Sequence, residues 1–308
     1  MLNLYWKSDA KMRTLIEKPF ASEMALEVYL YTNEDLLDDV SIIHRQIRTG
    51  NNQGIPDMLG VDQDGRVCIL ELKNVEADED ILPQALGYAI WAETNPDSIK
   101  AIWLESESKP EDIEIDWDNL DIRVILVAPG FKETVPRMVG KIGYDVDLVQ
   151  LQRFCFDDQE FMLVDVLEEP EPTKIVTTKP KGDWDWDYYA SEHGQEATAQ
   201  FRRMLEAVNA YVQQQGWGLP YNLNKNYAGF KLGNRLVFSV AWGGTYAWQL
   251  RLKIPEAIAE TFQGEDWEFP RYSEQFKEAI FRPVDPENTD VRELAPFLDA
   301  AYENISGK

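Results

Sequence analysis

A chain of 308 residues with 44% hydrophobic and 12% aromatic content can bury a real core, in one large domain or two ordinary ones, and is not a disordered polypeptide. Its formal charge of −25 argues against a broadly basic nucleic-acid-coating protein, and its two cysteines against a disulfide framework. No apolar run approaches the roughly 18 residues of a membrane span, and the opening MLNLYWKSDAKMRTL lacks the apolar stretch of a signal peptide, so the expected compartment is the cytoplasm.

Taken in order, the elements begin with Ser22, a helix N-cap before EMALEVYLYTN, whose Met24, Leu26, Tyr29 and Leu30 recur at helical spacing. SIIHRQI (41–47) and IPDMLGVD (55–62) read as strands, and Asp64-Gly65 is a hairpin turn into RVCILELK (66–73). A helix is expected from about Asp78 to Thr94, then strands at AIWLE (101–105) and DIRVILVAPG (121–130). A helix over about 131–143 and strands VDLVQLQRF and FMLVDVL complete the unit. Cys68 and Cys155 lie in apolar strand-like runs and read as buried thiols.

The segment 169–182 is rich in Pro, Thr and charge and is expected to be a linker between a domain at 1–168 and a second at 183–308. The run DWDWDYY (183–189) reads as a strap docking its rings on a domain. Beyond it, 195–215 is a long amphipathic helix. Strands are expected at YAGFKLG, RLVFSVAW and YAWQLRLKI, separated by Gly233-Asn234 and Gly243-Gly244 turns, and helices at 273–281 and 290–304. The fold class is therefore α/β, a mixed sheet flanked by helices, followed by a small C-terminal α+β domain.

One constellation carries chemistry. Residues two apart in a strand share a face, so Glu71 and Lys73 point the same way while Cys68, Leu70 and Leu72 point into the core. The Asp64-Gly65 turn folds Asp57 back beside them, and two carboxylates and an ammonium then converge on one sheet surface. Two hard carboxylate oxygens, with the backbone carbonyl of Leu72, suit Mg²⁺ or Mn²⁺, and Lys73 is placed to steady an attacking hydroxide or a pentacoordinate phosphorus. Gln84 and Tyr88, spaced i, i+4, share a helix face beyond the strand and can orient water or touch phosphate. Glu23 can lean over the same pocket, with Glu27 one turn on as the competing carboxylate. Taken singly, each of these residues has a plainer explanation, a cross-strand salt bridge or a solvated helix face. It is the order and the shared elements that point to phosphodiester hydrolysis.

The segments 22–37, 44–91 and 122–131 resemble the catalytic domain of the NucS (EndoMS) endonucleases, within the PD-(D/E)xK restriction-endonuclease-like group. The likeness lies in a helix Glu, then IPDMLGVDQDGRVCILELK, then Gln84 and Tyr88, then a strand ending in Val-Ala-Pro. It implies a restriction-endonuclease-like sheet and a Mg²⁺- or Mn²⁺-dependent endonuclease acting on DNA in repair or defence. In that pattern Asp57, Glu71 and Lys73 form the metal and catalytic core, with Gln84, Tyr88 and Glu23 at the family's other positions. A homodimer, or a protein partner bound through the C-terminal domain, is compatible with it. The resemblance covers about residues 20–155, and a different module follows, so mismatch recognition is not carried over.

The acid is concentrated, about −19 of the charge falling before residue 169, in runs such as 76–80 and 105–121 that suit solvated faces. An alternative reading therefore keeps the fold without catalysis, as an adaptor or acidic DNA mimic. With two isolated histidines, His44 and His193, zinc is not expected. His44, Arg45, Gln46 and Arg48 are candidates for phosphate contact or for a plain strand edge. Lys225, Lys231, Arg235, Arg251 and Lys253 form the best local basic patch.

Overall fold

The computed structural model describes residues 4–8, 11–37, 39–45, 56–110, 113–167, 184–245 and 247–307, with backbone alone at 8, 11 and 34. Gln46, Arg48 and the expected linker at 169–182 lie outside the described residues. The chain divides into two compact units, residues 1–109 with 114–179 and residues 110–113 with 180–308.

In the first unit, strands β1 (Tyr5–Ser8) and β2 (Lys11–Thr14) pair as an antiparallel ribbon, and β3 (Ile16–Glu17) follows. Helix α1 (Glu23–Thr32) starts where Ser22 Oγ accepts the Ala25 N–H at 3.1 Å, the expected cap. Strands β4 (Val40–Arg45), β5 (Met58–Asp62) and β6 (Val67–Leu72) run antiparallel. Helices α2 (Ile81–Thr94) and α3 (Pro96–Glu105) precede β7 (Ile122–Ala128). Helix α4 (Thr134–Val139) and strands β8 (Asp145–Phe156) and β9 (Gln159–Leu167) end the unit. Among the described residues the strands build a seven-stranded sheet in the order β3-β8-β7-β6-β5-β4, with β9 also paired to β8. β6, β7 and β8 are parallel neighbours and the other pairs antiparallel, which makes the sheet mixed.

The alternation expected of β6 holds. Cys68, Leu70 and Leu72 join Leu26 and Leu30 of α1 in one core cluster with Ile125 and Val127 of β7. Helix α2 packs on β6 and β7 and buries Ile81, Leu82, Ala85 and Tyr88. At Gly60 a Cβ would lie 2.6 Å from Val40 Cγ1 and 2.9 Å from the Ser41 carbonyl oxygen, so only glycine lets β4 and β5 approach so closely. Asp62 and Gly65 make the turn, Gly65 at φ 77°.

Two sequence expectations fail. AIWLE is the second half of α3, not a strand. Pro96 opens that helix in its first turn, and Ile99, Ile102 and Trp103 follow at helical spacing with Ile99 fully buried. Residues 273–281 are not helical either. They are the end of one strand, a turn containing Lys277 at φ 50°, and the start of the next, held by pairing across the sheet. Of the cysteines, Cys68 is buried and Cys155 half-buried, and both are free.

In the second unit, α5 (Trp186–His193) is capped by Asp185 and α6 (Gln195–Gln215) ends at Gly216 with φ 69°. The ring-bearing run 184–189 is thus mostly helix. Tyr189 is buried, and its hydroxyl donates to the Asn224 carbonyl at 2.6 Å. Strands β10 (Tyr221–Leu223), β11 (Tyr227–Leu232), β12 (Arg235–Trp242) and β13 (Trp248–Leu252) are followed by α7 (Glu256–Ala259). Strands β14 (Trp267–Ser273) and β15 (Glu278–Pro283), a 3₁₀ turn at Val291–Leu294 and α8 (Ala295–Ser306) complete it. The sheet order is β10-β11-β12-β13-β15-β14, antiparallel throughout, with α6 and α8 packed on it over Phe201, Phe230, Phe238, Leu250, Phe281 and Leu298. Arg251 on β13 and Lys253, one residue beyond it, are buried with Glu278 at 3.6 and 4.0 Å, so they do not belong to an exposed basic patch. No helix of the described residues is long and apolar enough to cross a membrane.

Candidate active site

The hairpin brings the three central residues together. Met58 faces Leu70 in the β5–β6 register, and one further step along each strand sets Asp57 beside Glu71. Asp57 Oδ2 accepts the Leu72 N–H at 2.8 Å, which fixes its carboxylate over the end of β6. Glu71 is 1% exposed, and its Oε1 accepts from Lys73 Nζ at 2.9 Å. Lys73 lies one residue beyond β6, where its own N–H bonds the Val127 carbonyl at 2.8 Å and continues the strand's pairing with β7. Glu71 Oε2 is buried and, among the described residues, has no hydrogen-bond partner.

Two glutamates approach from α1. Glu23 Oε1 is 4.0 Å from Lys73 Nζ, and its side chain is half exposed. Glu27, one turn on, is buried and accepts from Arg45 Nε at 2.8 Å, while the Arg45 guanidinium lies 5.2 Å from the centre of the Tyr31 ring. Asn74 Nδ2 donates to the Phe20 carbonyl at 2.7 Å and ties the segment after Lys73 to the segment before α1. Gln84 and Tyr88 stand apart: Gln84 Nε2 donates to the Tyr88 hydroxyl at 3.1 Å, and among the described residues neither bonds Asp57, Glu71 or Lys73. The buried role of Glu27 and the tie by Asn74 are missing from the sequence reading. Glu27 lies next to Leu26 and three before Leu30 on the buried side of α1, a spacing from which its burial can be read.

The electrostatics are those of a site short of positive charge. Burial is the largest influence on Glu71, the Asp57 charge adds to it, and the Lys73 ammonium does not offset them, so the Glu71 carboxyl is pushed up to about 7. Asp57 is raised too, by burial and by Glu27 and Glu23, against the Leu72 N–H and Lys73. Burial alone would lower Lys73, but its hydrogen bond to Glu71 and the surrounding carboxylates outweigh that and raise it. Ionised Asp57, Glu71 and Glu23 around one lysine leave an excess of negative charge at a largely dry sheet end, and a divalent cation would balance it.

The donor set fits such an ion. Glu71 Oε2 is a buried oxygen in need of a partner, and Asp57 keeps Oδ1 beside its bonded Oδ2. Among the described residues no group of three or more Asp, Glu, His and Cys side chains converges as a ligand cage. Two carboxylates supplemented by a main-chain carbonyl and waters suit Mg²⁺, which retains much of its hydration.

The architecture is α/β, with a mixed sheet flanked by helices and a C-terminal β-rich and helical unit. Among solved structures the chain is similar to EndoMS bound to double-stranded DNA, with TM-score 0.31 and 21% identity over 42% of this chain and 45% of that one. It is similar also to a repair endonuclease from Pyrococcus abyssi, with TM-score 0.28, 27% identity and 42% and 47% coverage. For EndoMS in its apo form the values are 0.25, 21%, 42% and 46%. The chain thus spans less than half the length of each of these structures. No protein-family model and no curated protein matches the chain.

Proposed function

We propose that the N-terminal unit is a Mg²⁺- or Mn²⁺-dependent endonuclease of the PD-(D/E)xK type that hydrolyses DNA phosphodiester bonds in repair or defence. The observation that carries this reading is the convergence of Asp57, Glu71 and Lys73, with a buried Glu71 oxygen that has no hydrogen-bond partner among the described residues. Asp57, Glu71 and the carbonyl of Leu72 would hold the ion. When bound, the metal supplies Lewis-acid polarisation of the phosphate and a water of lowered pKa.

The chain's own groups do the rest. The Leu72 N–H locks the Asp57 carboxylate in place, so its geometry costs no reorganisation. Lys73, whose Nζ donates to Glu71 Oε1 at 2.9 Å, would set its positive charge against the charge that grows on the phosphoryl oxygens. Glu23, at the rim, orients a water or a second ion. Gln84 and Tyr88, hydrogen-bonded to each other on α2 and, among the described residues, not to the three central residues, would orient water or touch phosphate only with substrate in place. A homodimer, or a protein partner bound through the C-terminal unit, would complete substrate choice.

The test is cleavage of single-stranded, duplex, branched and mismatched DNA with Mn²⁺. Activity is expected in the wild type and is expected to fall at least about 10³-fold in Asp57→Ala and Lys73→Ala, a loss of the size seen when one preorganised electrostatic group is removed. Absence of cleavage on every substrate would leave a nuclease-like fold without the enzyme. An adaptor or acidic mimic of DNA would then be the reading, favoured by the charge of −25.

A further inference from the structure

The first twenty residues carry four cations and two acids, in a chain whose net charge is −25. Within this stretch Tyr5–Ser8 and Lys11–Thr14 form the β1–β2 ribbon, with Tyr5 opposite Thr14, Trp6 opposite Arg13 and Lys7 opposite Met12. Alternation divides the ribbon into two faces. Trp6 turns toward the main sheet, its ring 6.0 Å from Phe156 and 5.5 Å from Phe161, and the Arg13 guanidinium lies 5.4 Å from the Phe156 ring centre. The opposite face presents Tyr5, Lys7, Met12 and Thr14 to solvent, with Tyr5 57% and Met12 63% exposed. Ile16, just beyond, is 71% exposed.

Tyr5, Met12 and Ile16 set three exposed apolar side chains beside the exposed Lys7 within one short stretch. Among the described residues Lys7, Arg13 and Lys18 have no carboxylate within ion-pairing distance, although acids outnumber bases nearly two to one in the chain. The root of the ribbon reaches the candidate site. The Lys18 N–H bonds the Arg153 carbonyl at 2.8 Å, and two residues on, Phe20 accepts from Asn74, the neighbour of Lys73. Glu23 begins α1 three residues later.

We propose that the β1–β2 ribbon is a DNA-contact arm, with Lys7 and Lys18 on backbone phosphates and Tyr5 and Met12 against sugars and base edges of the duplex entering the site. The proposal rests on the nuclease reading above and adds to it where the substrate is gripped. A two-stranded ribbon has the width to enter the major groove, and phosphate neutralisation is the term that an acidic protein must supply locally. The acid elsewhere in the N-terminal unit then disfavours encounters of DNA with its other faces.

The test is fluorescence anisotropy of a short labelled duplex with the full chain in EDTA, over a series of salt concentrations. The Lys7→Ala/Lys18→Ala variant is expected to bind about fivefold or more weakly at low salt. Its slope of log K against log salt is expected to be shallower by about 2, the loss of two phosphate contacts. Tyr5→Ala and Lys7→Glu, both on exposed positions, are expected to weaken binding with an unchanged melting temperature. Equal affinity and slope in all variants would overturn the arm and leave the cleavage reading standing. Ribbon-dependent binding by a wild type that cuts nothing would retain the arm and remove the nuclease. No binding of DNA by the wild type, or tighter ribbon-dependent binding of RNA, would overturn the proposal.

Discussion

The two ends of the β5–β6 hairpin treat buried charge in opposite ways. At the turn end, Asp62 is almost fully buried, yet its carboxylate meets Arg66 at 2.7 Å and Arg123 at 3.3 Å and accepts the N–H groups of Asp64 and Arg66, each at 3.0 Å. Arg123 also bonds Asp39 at 2.7 Å and Asp147 at 2.6 Å, and Arg66 bonds Asp145 at 2.6 Å. At the open end, Asp57 and Glu71 have one lysine near them, and a buried oxygen is left over. Burying charge is costly at both ends. In the turn network each carboxylate meets a guanidinium, and Asp62 has two backbone donors besides. At the open end only Glu71 is bonded to the lysine, and among the described residues its second oxygen has no hydrogen-bond partner. The same strand pair therefore separates a charge cluster paired within the protein from the candidate site, and the separation can be measured.

The largest effect is expected where compensation is most complete. Asp62→Ala would take from Arg66 and Arg123 the carboxylate they share and leave the N–H groups of Asp64 and Arg66 without their acceptor, and a loss of about 3–5 kcal/mol is expected in denaturant unfolding. Divalent metal should not restore it. A loss near 1 kcal/mol would mean that the turn network is solvated in solution and would break the contrast.

The next effect is expected at the open end and has a pH signature. Glu71 titrates at about 7 in the fold, against 4.5 for an ordinary glutamate. The folded state then holds a proton that the unfolded chain has lost. Stability is accordingly highest below about pH 4.5, as far as this group decides, and falls as pH rises to about 7, by on the order of 3 kcal/mol. Asp57, raised for the same reason, acts in the same direction. In metal-free protein the melting temperature should drop over that window, and Glu71→Gln should flatten the drop. Saturating Mn²⁺ should restore the wild type at pH 8, by about 2.7 kcal/mol at one hundred times the dissociation constant, but not the variant. A flat profile in the wild type would show that Glu71 is ionised and satisfied without metal.

Much of the open end was legible before any coordinates. A two-residue repeat places Glu71 and Lys73 together, and an Asp-Gly turn folds Asp57 onto them, because strand alternation and turn chemistry are local rules. The pattern Ser22 to Leu30 likewise marks α1. The turn network was not legible, since Arg123 and Asp147 come from parallel strands whose register depends on crossovers. The same limit explains 273–281, where a helix-like composition yields to pairing with β13. It explains Arg251 and Lys253 as well, which look like surface cations in sequence and are buried beside Glu278. AIWLE was misread because the start signal, Pro96, lies five residues upstream of the apolar run. The β1–β2 ribbon went unread because four-residue strands give too short an alternation to register.

The smallest expected effect decides between the two glutamates of α1, which spacing alone left open. Glu23 is half exposed and 4.0 Å from Lys73, so its charge is screened by water and its contribution to stability should be below about 0.5 kcal/mol. Glu27 is buried against Arg45, and Glu27→Gln would exchange a charged bond for a neutral one, at about 1–2 kcal/mol. Function should divide the other way. Glu23 is free to turn toward a water or ion at the rim, so Glu23→Gln is expected to slow cleavage about tenfold while leaving the melting temperature unchanged. Glu27→Gln is expected to lower the melting temperature and to slow cleavage less than Glu23→Gln does. If the two variants exchange these phenotypes, Glu27 is the carboxylate that serves the site, Arg45 is its positioning partner, and the rim glutamate is solvent decoration on the first turn of α1.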